Sequence, residues 1–479
     1  MSRPTVTNIK ASVSALEARP PVSNDVYQTP YFLHALSFFD TLYGHLFSTR
    51  PLDPEAIISF IDFSKSPGKT GVYSGYKSKK DLVSSTSFNE WFFCNRHLLR
   101  RALWSVSGKI EFKELDDLVA NKIRLFTIPP YELLFEQIRF GKLSSEAFKG
   151  FRWSAYGFCP YYGGAQRLAN SLLEKPIRFF YDLSGWDKFV PLMSVLYTII
   201  FKHMRKFVPS ELLNNFLWTI QNTTSFLFVD PFGNVFMKDY GNPSGSGTTT
   251  RDNISMHIIL IASALSLAYF QKFGTFPSDA MLAAQNIFIF GDDIIGSVDP
   301  EFDFITTPSF FQDFYKPFGM KIKYVSAAYG LPLSSCDFLG FKFHNIDGLY
   351  YPLYDIQRLA TSMIYKSSSQ DTSASFVSRS FTLFIMSYPS PHFKVFKQSW
   401  HDVCDHFSQD TNSVVQSYLT LRNVKTTEII AFYQGSESAR FFDFFEPDSV
   451  GLQYNQLPQQ KENVCFTWRK DPRPMGEQP

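Results

Sequence analysis

The sequence predicts an α+β fold, and three apolar stretches of this 479-residue chain indicate it. Residues 286–297 (NIFIFGDDIIGS) place two β-favouring runs on either side of a glycine turn, which is typical of a β-hairpin. Residues 177–182 (IRFFYD) form a second short apolar strand that ends in a carboxylate. Residues 254–270 approach membrane-spanning length, but the polar Ser255, His257 and Ser263 within them favour a buried helix.

The tip of the predicted hairpin presents two adjacent acids, Asp292 and Asp293. Carboxylate oxygens are hard ligands, and Mg²⁺ takes one or two of them together with water and substrate phosphates. An Asp-rich surface turn is the alternative, and it is the commoner meaning of Gly-Asp-Asp alone. Asp182 shifts that balance, because two strands that end side by side would bring it next to Asp292 and make a site for two metal ions.

A polar loop, residues 241–253 (GNPSGSGTTTRDN), lies between the two predicted strands and leads into the apolar helix. With this loop, the chain resembles the RNA-dependent RNA polymerases of positive-strand RNA viruses. The resemblance is carried by three motifs of that family, in the family's order: Asp-x4-Asp (motif A) at Asp182 and Asp187, Ser-Gly-x3-Thr-x3-Asn (motif B) at Ser244, Gly245, Thr249 and Asn253, and Gly-Asp-Asp (motif C) at Gly291, Asp292 and Asp293. The motif wording is most similar to the astrovirus, potyvirus and picornavirus members.

This resemblance implies a right-hand polymerase fold of fingers, palm and thumb, with an antiparallel palm sheet and a helical thumb. The fingers would cover residues 1–175, including the N-terminal segment. The palm would cover residues 176–345, with a fingers insertion at about 193–235. The thumb and a C-terminal tail would take residues 346–479.

The chemistry implied is nucleotidyl transfer with two Mg²⁺ ions, for which Mn²⁺ can substitute. The resemblance assigns both catalysis and metal binding to Asp182, Asp292 and Asp293. Asp182 and Asp292 would bridge the two ions, and Asp293 would be an outer or variable ligand. The ions would neutralise the charge that builds up on the entering and leaving oxygens.

Ribose selection needs side chains that read the 2′-hydroxyl, which both donates and accepts a hydrogen bond. By resemblance, Asp187, Ser244, Thr249 and Asn253 take this role. The alternative for Asn253 is N-cap duty at the helix that follows, and the two roles are compatible. Gly245 would make its loop pliable and place it against the template or the incoming base pair.

Two further segments resemble family motifs of the fingers. Residues 121–130 alternate basic and apolar residues, as a strand with one charged face would, and Lys122 and Arg124 look like the motif F pair that contacts the incoming triphosphate. An exposed amphipathic edge strand is the alternative. Ser66, Pro67 and Gly68 resemble motif G at the template entry. The following Gly-Lys-Thr is not a P-loop, since Phe63 stands where that motif needs glycine.

Downstream of the hairpin, residues 311–323 are interpreted as helix then strand and resemble motif D. Family members often carry a lysine after this strand as proton donor to pyrophosphate, but that slot falls near Ala327 here, and the lysines present are Lys321 and Lys323. Another loop shape, another group or water are the open explanations. Residues 336–343 resemble motif E, a hairpin between palm and thumb.

Composition favours a folded protein, and the resemblance implies RNA and NTPs as its partners. Apolar residues make up 44% of the chain and the net charge is only +2, but nine basic residues oppose two acids between Ser64 and Ile110. A solvated lysine-rich face is the alternative for that region. Template RNA, nascent RNA and other viral replication proteins are the expected partners. No intrinsic membrane segment is expected, and the expected location is the host-cell cytoplasm, with recruitment to membrane-associated replication complexes through partners.

The function that this reasoning reaches is RNA-dependent RNA synthesis for viral replication. A reverse transcriptase-like palm polymerase is one alternative, disfavoured because Asp187 and Asn253 suit a ribose hydroxyl. A catalytically inactive RNA-binding palm protein is the other, since fold alone never establishes activity.

Overall fold

A computed structural model of the chain describes residues 5–17, 22–23, 25–61, 76, 78–108, 123–160, 164–346, 348–364, 373–387, 390–410 and 413–414. The predicted site residues Ser66, Pro67, Gly68 and Lys122 lie outside these ranges.

Helices flank the sheets along the whole described chain. They are α1 (Val6–Glu17), α2 (Pro30–Tyr43), α3 (Pro54–Ile58), α4 (Lys79–Val83), α5 (Thr86–Phe93), α6 (Tyr131–Ala147), α7 (Gly164–Leu173), α8 (Trp186–Phe189), α9 (Met193–Met204), α10 (Leu213–Thr224), α11 (Thr249–Phe273), α12 (Asp279–Ala283), α13 (Phe310–Tyr315), α14 (Ile356–Ile364), α15 (Ser373–Ser387) and α16 (Phe393–His406).

The strands form three sheets. They are β1 (Leu103–Gly108), β2 (Leu125–Ile128), β3 (Ile177–Ser184), β4 (Phe226–Val229), β5 (Val235–Lys238), β6 (Asn286–Phe290), β7 (Asp293–Val298), β8 (Lys321–Tyr329), β9 (Asp337–Phe338), β10 (Phe341–Ile346) and β11 (Leu349–Tyr354). The central sheet has the order β6-β7-β3-β8, the second sheet β2-β1-β4-β5, and the third sheet β11-β10-β9.

The central sheet is antiparallel throughout. Its middle strand β3 alternates between two cores, because successive side chains of a strand point to opposite faces. Phe179 and Tyr181 pack in the large core of the molecule, whereas Phe180 packs in a smaller apolar cluster on the other face. The predicted hairpin at 286–297, the strand at 177–182 and the antiparallel sheet are therefore confirmed, but β3 continues past Asp182 to Ser184.

The second sheet joins distant parts of the sequence. β1 pairs with β2 antiparallel and with β4 parallel, so a strand from residues 226–229 lies beside strands from residues 103–128. The predicted insertion at 193–235 thus contributes to a sheet other than the central one. β2 is an edge strand in which Leu125 and Thr127 are buried and Phe126 is exposed, as its sequence alternation predicts.

Helix α11 is the one helix of the described chain that is long and apolar enough to cross a membrane, and 83% of its most apolar window is buried inside the protein. An all-round apolar helix of this kind belongs in a core. It packs against α2, where His34 Nδ1 lies 2.9 Å from Ser266 Oγ. The prediction that this stretch is a buried helix is confirmed.

The segments predicted to resemble motifs D and E have the expected secondary structure. α13 leads into β8, which pairs with β3 at the edge of the central sheet. β9 and β10 form a tight hairpin whose two turn residues, Leu339 and Gly340, both have positive φ. Beyond β11, helices α14 to α16 pack around Phe384 and Trp400, whose rings stack at 5.2 Å, so the described part of residues 346–479 is mainly helical.

Candidate active site

The acids of the candidate site meet at one end of the central sheet because β3 and β7 are neighbours. Tyr181 pairs with Ile294, so Asp182 and Asp293 are the next residues toward that end on each strand. Directly opposed residues of antiparallel strands have Cα atoms about 4.5–5.5 Å apart. Asp182 and the Asp292–Asp293 pair are therefore close in space although 110 positions separate Asp182 from Asp292 in sequence.

The turn between β6 and β7 has only two residues, Gly291 and Asp292, since Phe290 pairs with Asp293. Gly291 has φ +69°, a value that favours glycine because it has no Cβ. A short turn of this kind presents Asp292 at the tip rather than packing it into the core. The sequence prediction of a charged hairpin tip is thereby confirmed.

Burial and neighbouring charges raise the pKa values of Asp292 and Asp293. Burial raises the pKa of Asp292, and the charges of Asp182 and Asp187 raise it further. Burial, followed by the charges of Asp292, Asp182 and Asp337, raises the pKa of Asp293 to about 7. Like charges that face one another in a half-buried site repel, and a divalent cation would offset that repulsion.

Lys323 is the lysine nearest to this cluster, with its Nζ 3.4 Å from Asp182 Oδ2. A β-bulge brings it there: Asp182 pairs with Tyr324 and Leu183 pairs with Ile322, which leaves Lys323 as the extra residue on β8. Bulges re-aim side chains next to active sites. As a result, Lys323 and Tyr324 both face the acids although they are consecutive, and burial together with the surrounding carboxylates raises the pKa of Tyr324.

The donor set suits a magnesium ion that is bound partly through its substrate. Among the residues that the structure describes, no group of three or more His, Cys, Asp or Glu side chains forms a ready metal cage. Mg²⁺ needs no such cage, because it keeps several waters and binds through one or two carboxylates plus substrate phosphates. Half-buried Asp182, Asp292 and Asp293 offer only hard oxygen ligands, and the fit is therefore chemically sound.

The hairpin turn is held from below by a chain of hydrogen bonds that sequence reasoning missed. His257 Nδ1 lies 3.0 Å from the carbonyl oxygen of Gly291, and a carbonyl only accepts, so Nδ1 carries the proton. Nε2 then accepts from the hydroxyl of Tyr181 at 3.0 Å, and that hydroxyl accepts from Tyr315 at 2.6 Å. Burial lowers the pKa of His257 to about 4, which keeps the ring neutral as this arrangement requires.

The amide orientation of Asn253 is fixed by its hydrogen-bond partners. Its Oδ1 accepts from the indole Nε1 of Trp186 at 2.9 Å and from Nδ2 of Asn242 at 2.7 Å. An indole N–H can only donate, so the oxygen must face Trp186 and the two N–H donors of Asn253 remain for another partner. The N-cap alternative for Asn253 is wrong, because α11 begins at Thr249 and its N-cap is Thr248.

Asp187 occupies the short helix α8, immediately after β3. Its charge acts on Asp292, which places it on the same side of the molecule as the acid cluster. Its backbone carbonyl accepts from the amide of Asn242 at 3.0 Å. Asp187 and Asn253 are therefore joined through one residue, Asn242, at the start of the motif B loop.

The remaining predicted residues of the motif B loop are partly engaged within the fold. Ser244 Oγ lies 3.4 Å from Thr127 Oγ1, and the hydroxyl of Thr249 donates to the carbonyls of Pro243 and Ser246, each at 2.9 Å. Gly245 was expected to give flexibility. A Cβ at this position would lie 2.0 Å from the carbonyl oxygen of Thr127, so Gly245 is needed for close packing of the loop on β2.

Arg124 is exposed just before β2, and its positive charge acts to lower the pKa of Asp292. An edge strand and a phosphate-contacting arginine are both consistent with β2, so the structure leaves the two alternatives open. Lys122, the other predicted phosphate contact, precedes the described segment.

A network that patterns did not predict fixes the start of α11. Arg251 and Asp252 are both buried and pair at 2.6 Å. Asp252 also accepts from the hydroxyls of Thr248 at 2.6 Å and Tyr197 at 3.0 Å. A buried ion pair keeps its geometry when hydrogen bonds satisfy its remaining lone pairs. This network holds the first turn of the helix that carries Asn253.

Comparison with protein families gives a match over most of the chain. The family model described as Viral RNA-dependent RNA polymerase matches residues 50–396. The genome polyprotein of turnip mosaic virus (strain Quebec) is 26% identical over 288 residues, which are 58% of this chain and 9% of the polyprotein. That of lettuce mosaic virus (strain E) is 25% identical over 336 residues, 66% of this chain and 10% of the polyprotein. The chain thus spans about a tenth of the length of these curated relatives.

Among solved structures, the Sicinivirus 3Dpol RNA-dependent RNA polymerase is similar in fold. It superposes with a TM-score of 0.59 over 81% of both chains, with 19% sequence identity. This likeness confirms the α+β right-hand fold predicted from the motifs.

Asp293→Asn should stabilise the protein when divalent cations are chelated. The pKa of the Asp293 carboxyl is raised, so its ionised form destabilises the folded protein at pH 8. Asparagine carries no charge, and the free energy of unfolding should therefore rise by roughly 1–3 kcal/mol at that pH. This gain in the free energy of unfolding should shrink as pH falls through 7, because the wild-type carboxyl then becomes protonated in the folded protein. Urea unfolding in a chelator measures it. Asp313→Asn, at an exposed acid on α13, is the control, and an equal gain in both variants would contradict the prediction.

His257→Phe should loosen the hairpin turn, because the Gly291 carbonyl loses its donor and the Tyr181 hydroxyl loses its acceptor. Leaving buried polar partners unpaired costs about 1–3 kcal/mol. We expect a loss of that size in unfolding free energy and faster amide hydrogen exchange at residues 290–293. Tyr315→Phe, which removes only the far end of the chain of hydrogen bonds, should leave exchange at the turn nearly unchanged. If residues 290–293 of the His257→Phe variant exchange their amide hydrogens at the wild-type rate, His257 does not stabilise the hairpin turn.

Proposed function

This chain belongs to the viral RNA-dependent RNA polymerases, whose activity is RNA-templated RNA synthesis, and we propose that it extends RNA by two-metal nucleotidyl transfer at Asp182 and Asp292. The observation that carries the proposal is the pairing of β3 with β7, which delivers both acids to one end of the central sheet. Polymerases of this family are metal-dependent, and Mg²⁺ is our choice of ion, with Mn²⁺ as a substitute.

In the proposed reaction the 3′-hydroxyl of the nascent RNA attacks the α-phosphate of an NTP and pyrophosphate leaves. A pair of Mg²⁺ ions, when bound, lowers the pKa of that hydroxyl and neutralises charge on the leaving oxygens. Asp182 and Asp292 would hold the ions, and Asp293 would add a more distant carboxylate. Their mutual repulsion in the metal-free protein supports this, because it makes each acid a better partner for a cation.

Lys323 is a neighbour of Asp182 in this scheme. Its Nζ lies 3.4 Å from Asp182 Oδ2, and a cation bound by that carboxylate would displace it. Its side chain is 67% exposed and long, so withdrawal into solvent requires only rotation about its own bonds. The ion pair between Lys323 and Asp182 is exposed on the lysine side and contributes little to folding. Breaking it would therefore cost little free energy when a cation binds.

Ribose selection follows from the donors and acceptors that the site leaves free. Asn253 keeps its two N–H donors for the 2′-oxygen, while the Asp187 carboxylate can only accept and suits the hydroxyl proton. A deoxynucleotide would leave both groups unpaired. Ser244 on the loop and Thr249 at the start of α11 complete the proposed set. Arg124 would contact the triphosphate with Lys122.

The proposed partners are template RNA, nascent RNA and NTPs, together with other replication proteins of the same virus. The polyprotein relatives support the last of these, since in them the matching region is one part of a longer chain. We place the enzyme in the host cytoplasm, recruited to membrane-associated replication complexes by its partners. The motif G residues Ser66, Pro67 and Gly68 remain a sequence-based proposal for the template entry.

Asp292→Ala should abolish nucleotide incorporation and leave RNA binding intact. Loss of a bridging carboxylate removes charge stabilisation worth several kcal/mol, so the rate should fall roughly 10³-fold or more. Incorporation of labelled NTP on an RNA template, with and without Mg²⁺, measures the rate, and fluorescence anisotropy measures RNA binding. Asp313→Ala is the matched control.

A folded Asp292→Ala protein that still extends a primer would contradict the proposed catalytic role of Asp292. Wild-type protein that binds RNA but shows no metal-dependent incorporation would favour the inactive RNA-binding alternative. Preference for dNTPs on an RNA template would favour a reverse transcriptase.

Asn253→Ala should narrow the preference for rNTP over dNTP. One lost hydrogen bond in a water-poor site is worth about 1–3 kcal/mol, so the ratio of kcat/KM values should fall roughly tenfold. The effect should come from slower rNTP use rather than faster dNTP use. Steady-state competition on a homopolymer template measures the ratio. Asn214→Ala, an exposed asparagine on α10, should leave it unchanged, and an unchanged ratio in Asn253→Ala as well would remove Asn253 from the ribose site.

A further inference from the structure

Lys238, the last residue of β5, is a buried lysine outside the acid cluster and the ribose set. It is only 3% exposed. Its Nζ donates to the carbonyl oxygens of Leu16 and Lys188, each at 2.8 Å. Leu16 is in the last turn of α1, and Lys188 is the residue after Asp187. One amine therefore joins the N-terminal helix to the turn that carries a proposed ribose-selecting acid.

The end of α1 is a favourable place for this amine. The last carbonyls of a helix have no partners within it and form the negative end of its dipole. Tyr240 satisfies another of them, since its hydroxyl donates to the Glu17 carbonyl at 2.8 Å, and its ring lies 4.4 Å from Nζ of Lys238. α1 is also fixed at Ser12, whose hydroxyl donates to the Ile123 carbonyl at 3.2 Å.

The bonding does not depend on the charge of the amine. Burial lowers the pKa of Lys238 to about 7, and Lys188 acts in the same direction, whereas Asp187 and Asp239 oppose the lowering. The ammonium form has three N–H donors and the neutral form has two. Both carbonyls can therefore be satisfied in either form.

The residues after Lys238 hold the same turn from the other side. The amide of Asn242 donates to the Asp187 carbonyl at 3.0 Å, and the amide of Gly241 donates to the Val190 carbonyl at 2.7 Å. Gly241 has φ +78°, and a Cβ there would lie 2.6 Å from the carbonyl oxygen of Asp187. Residues 238–242 thus form a cradle for the Asp187 turn, residues 185–190. A cavity of about 20 Å³, room for one water, borders Asp187, Lys238 and Ser244.

We infer that Lys238 is a positioning residue for ribose selection, which holds the Asp187 turn in place by tying it to the end of helix α1. The inference rests on the proposed function in one respect, the role of Asp187 at the ribose. Lys238 touches no reacting atom. Its effect is on how accurately the Asp187 carboxylate is placed, and a small misplacement of a substrate-contacting group is costly.

The test is Lys238→Met in the full-length protein, because methionine keeps the apolar stem and removes the donors. We expect the rNTP over dNTP ratio of kcat/KM to fall about three- to tenfold, mainly through a higher KM for rNTPs, as the loss of one or two hydrogen bonds would give. The affinity for RNA should not change. Amide exchange should become faster both in residues 185–190 and in the last turn of α1.

Lys272→Met is the matched control. Lys272 also ties a helix to another segment, since its Nζ donates to the Pro300 carbonyl at 2.7 Å and to Asp303 at 2.9 Å, but it lies on α11 far along the helix from Asn253. Lys272→Met should keep the wild-type ratio and lose less stability than Lys238→Met, because Lys272 is exposed and Lys238 is buried. An equal fall of the ratio in both variants would mean that Lys238 acts only through general stability, and would overturn the inference.

Tyr240→Phe covers the case in which Lys238→Met does not fold, because it removes a single hydroxyl at the end of α1. It should speed exchange in the last turn of α1 and lower the ratio by about twofold, as one weakened hydrogen bond would. Faster exchange with an unchanged ratio would break the proposed link between the helix and the turn.

The exchange measurement separates the two proposals. If the wild-type protein incorporates no nucleotide, the proposed function fails, while coupled loosening of α1 and residues 185–190 in Lys238→Met still confirms the structural link. If the wild-type protein is active but the variant keeps both its selectivity and its exchange, the inference about Lys238 is wrong and the proposed function stands.

Discussion

The antiparallel pairing of β3 with β7 is the constraint on which the rest of the site depends. Side chains on a strand alternate between faces, so a slip of one residue in this pairing would turn Asp182 away from Asp292. The register is secured by burial on both faces, because Phe179 and Tyr181 belong to one core and Phe180 to another. Packing of aromatic side chains therefore determines where two carboxylates meet.

The acid end of the central sheet is locally unfavourable, and the surrounding structure offsets this. Carboxylates that repel one another raise the free energy of the folded metal-free protein. Two features offset this repulsion. The bulge on edge strand β8 places Lys323 next to Asp182. A chain of hydrogen bonds from Tyr315 through Tyr181 and His257 stabilises the Gly291 carbonyl. Strain of this kind at functional sites is a general feature of enzymes, which keep reactive groups in place at the expense of local stability.

Local patterns were sufficient to predict the elements that carry the site. The hairpin, the strand that carries Asp182, the helix after the polar loop and the alternation in β2 all follow from residue periodicity and turn chemistry. Contacts between distant segments could not be predicted in this way. The bulge at Lys323 depends on the register between β8 and β3, and the bond from His257 to Gly291 depends on how α11 lies under the hairpin.

The N-cap alternative for Asn253 was wrong, and Gly245 has a packing role that the sequence did not predict. Asn253 was given N-cap duty as an alternative, but the helix begins four residues earlier, at Thr249. Gly245 was taken as a source of flexibility, whereas the carbonyl of Thr127 leaves no room for a side chain there. The sequence shows that a residue is small or polar, but its structural role depends on which backbone groups it contacts in the fold.

The fixed orientation of the Asn253 amide has a consequence for modified nucleotides. With its oxygen committed to Trp186 and Asn242, this side chain can offer only N–H groups to a sugar, and the nearby Asp187 can offer only lone pairs. The oxygen of a 2′-methoxy group can accept from Asn253 but has no proton for Asp187. A 2′-amino group can accept from Asn253 and also donate to Asp187. In the proposed ribose site, 2′-amino analogues are therefore better matched than 2′-methoxy analogues.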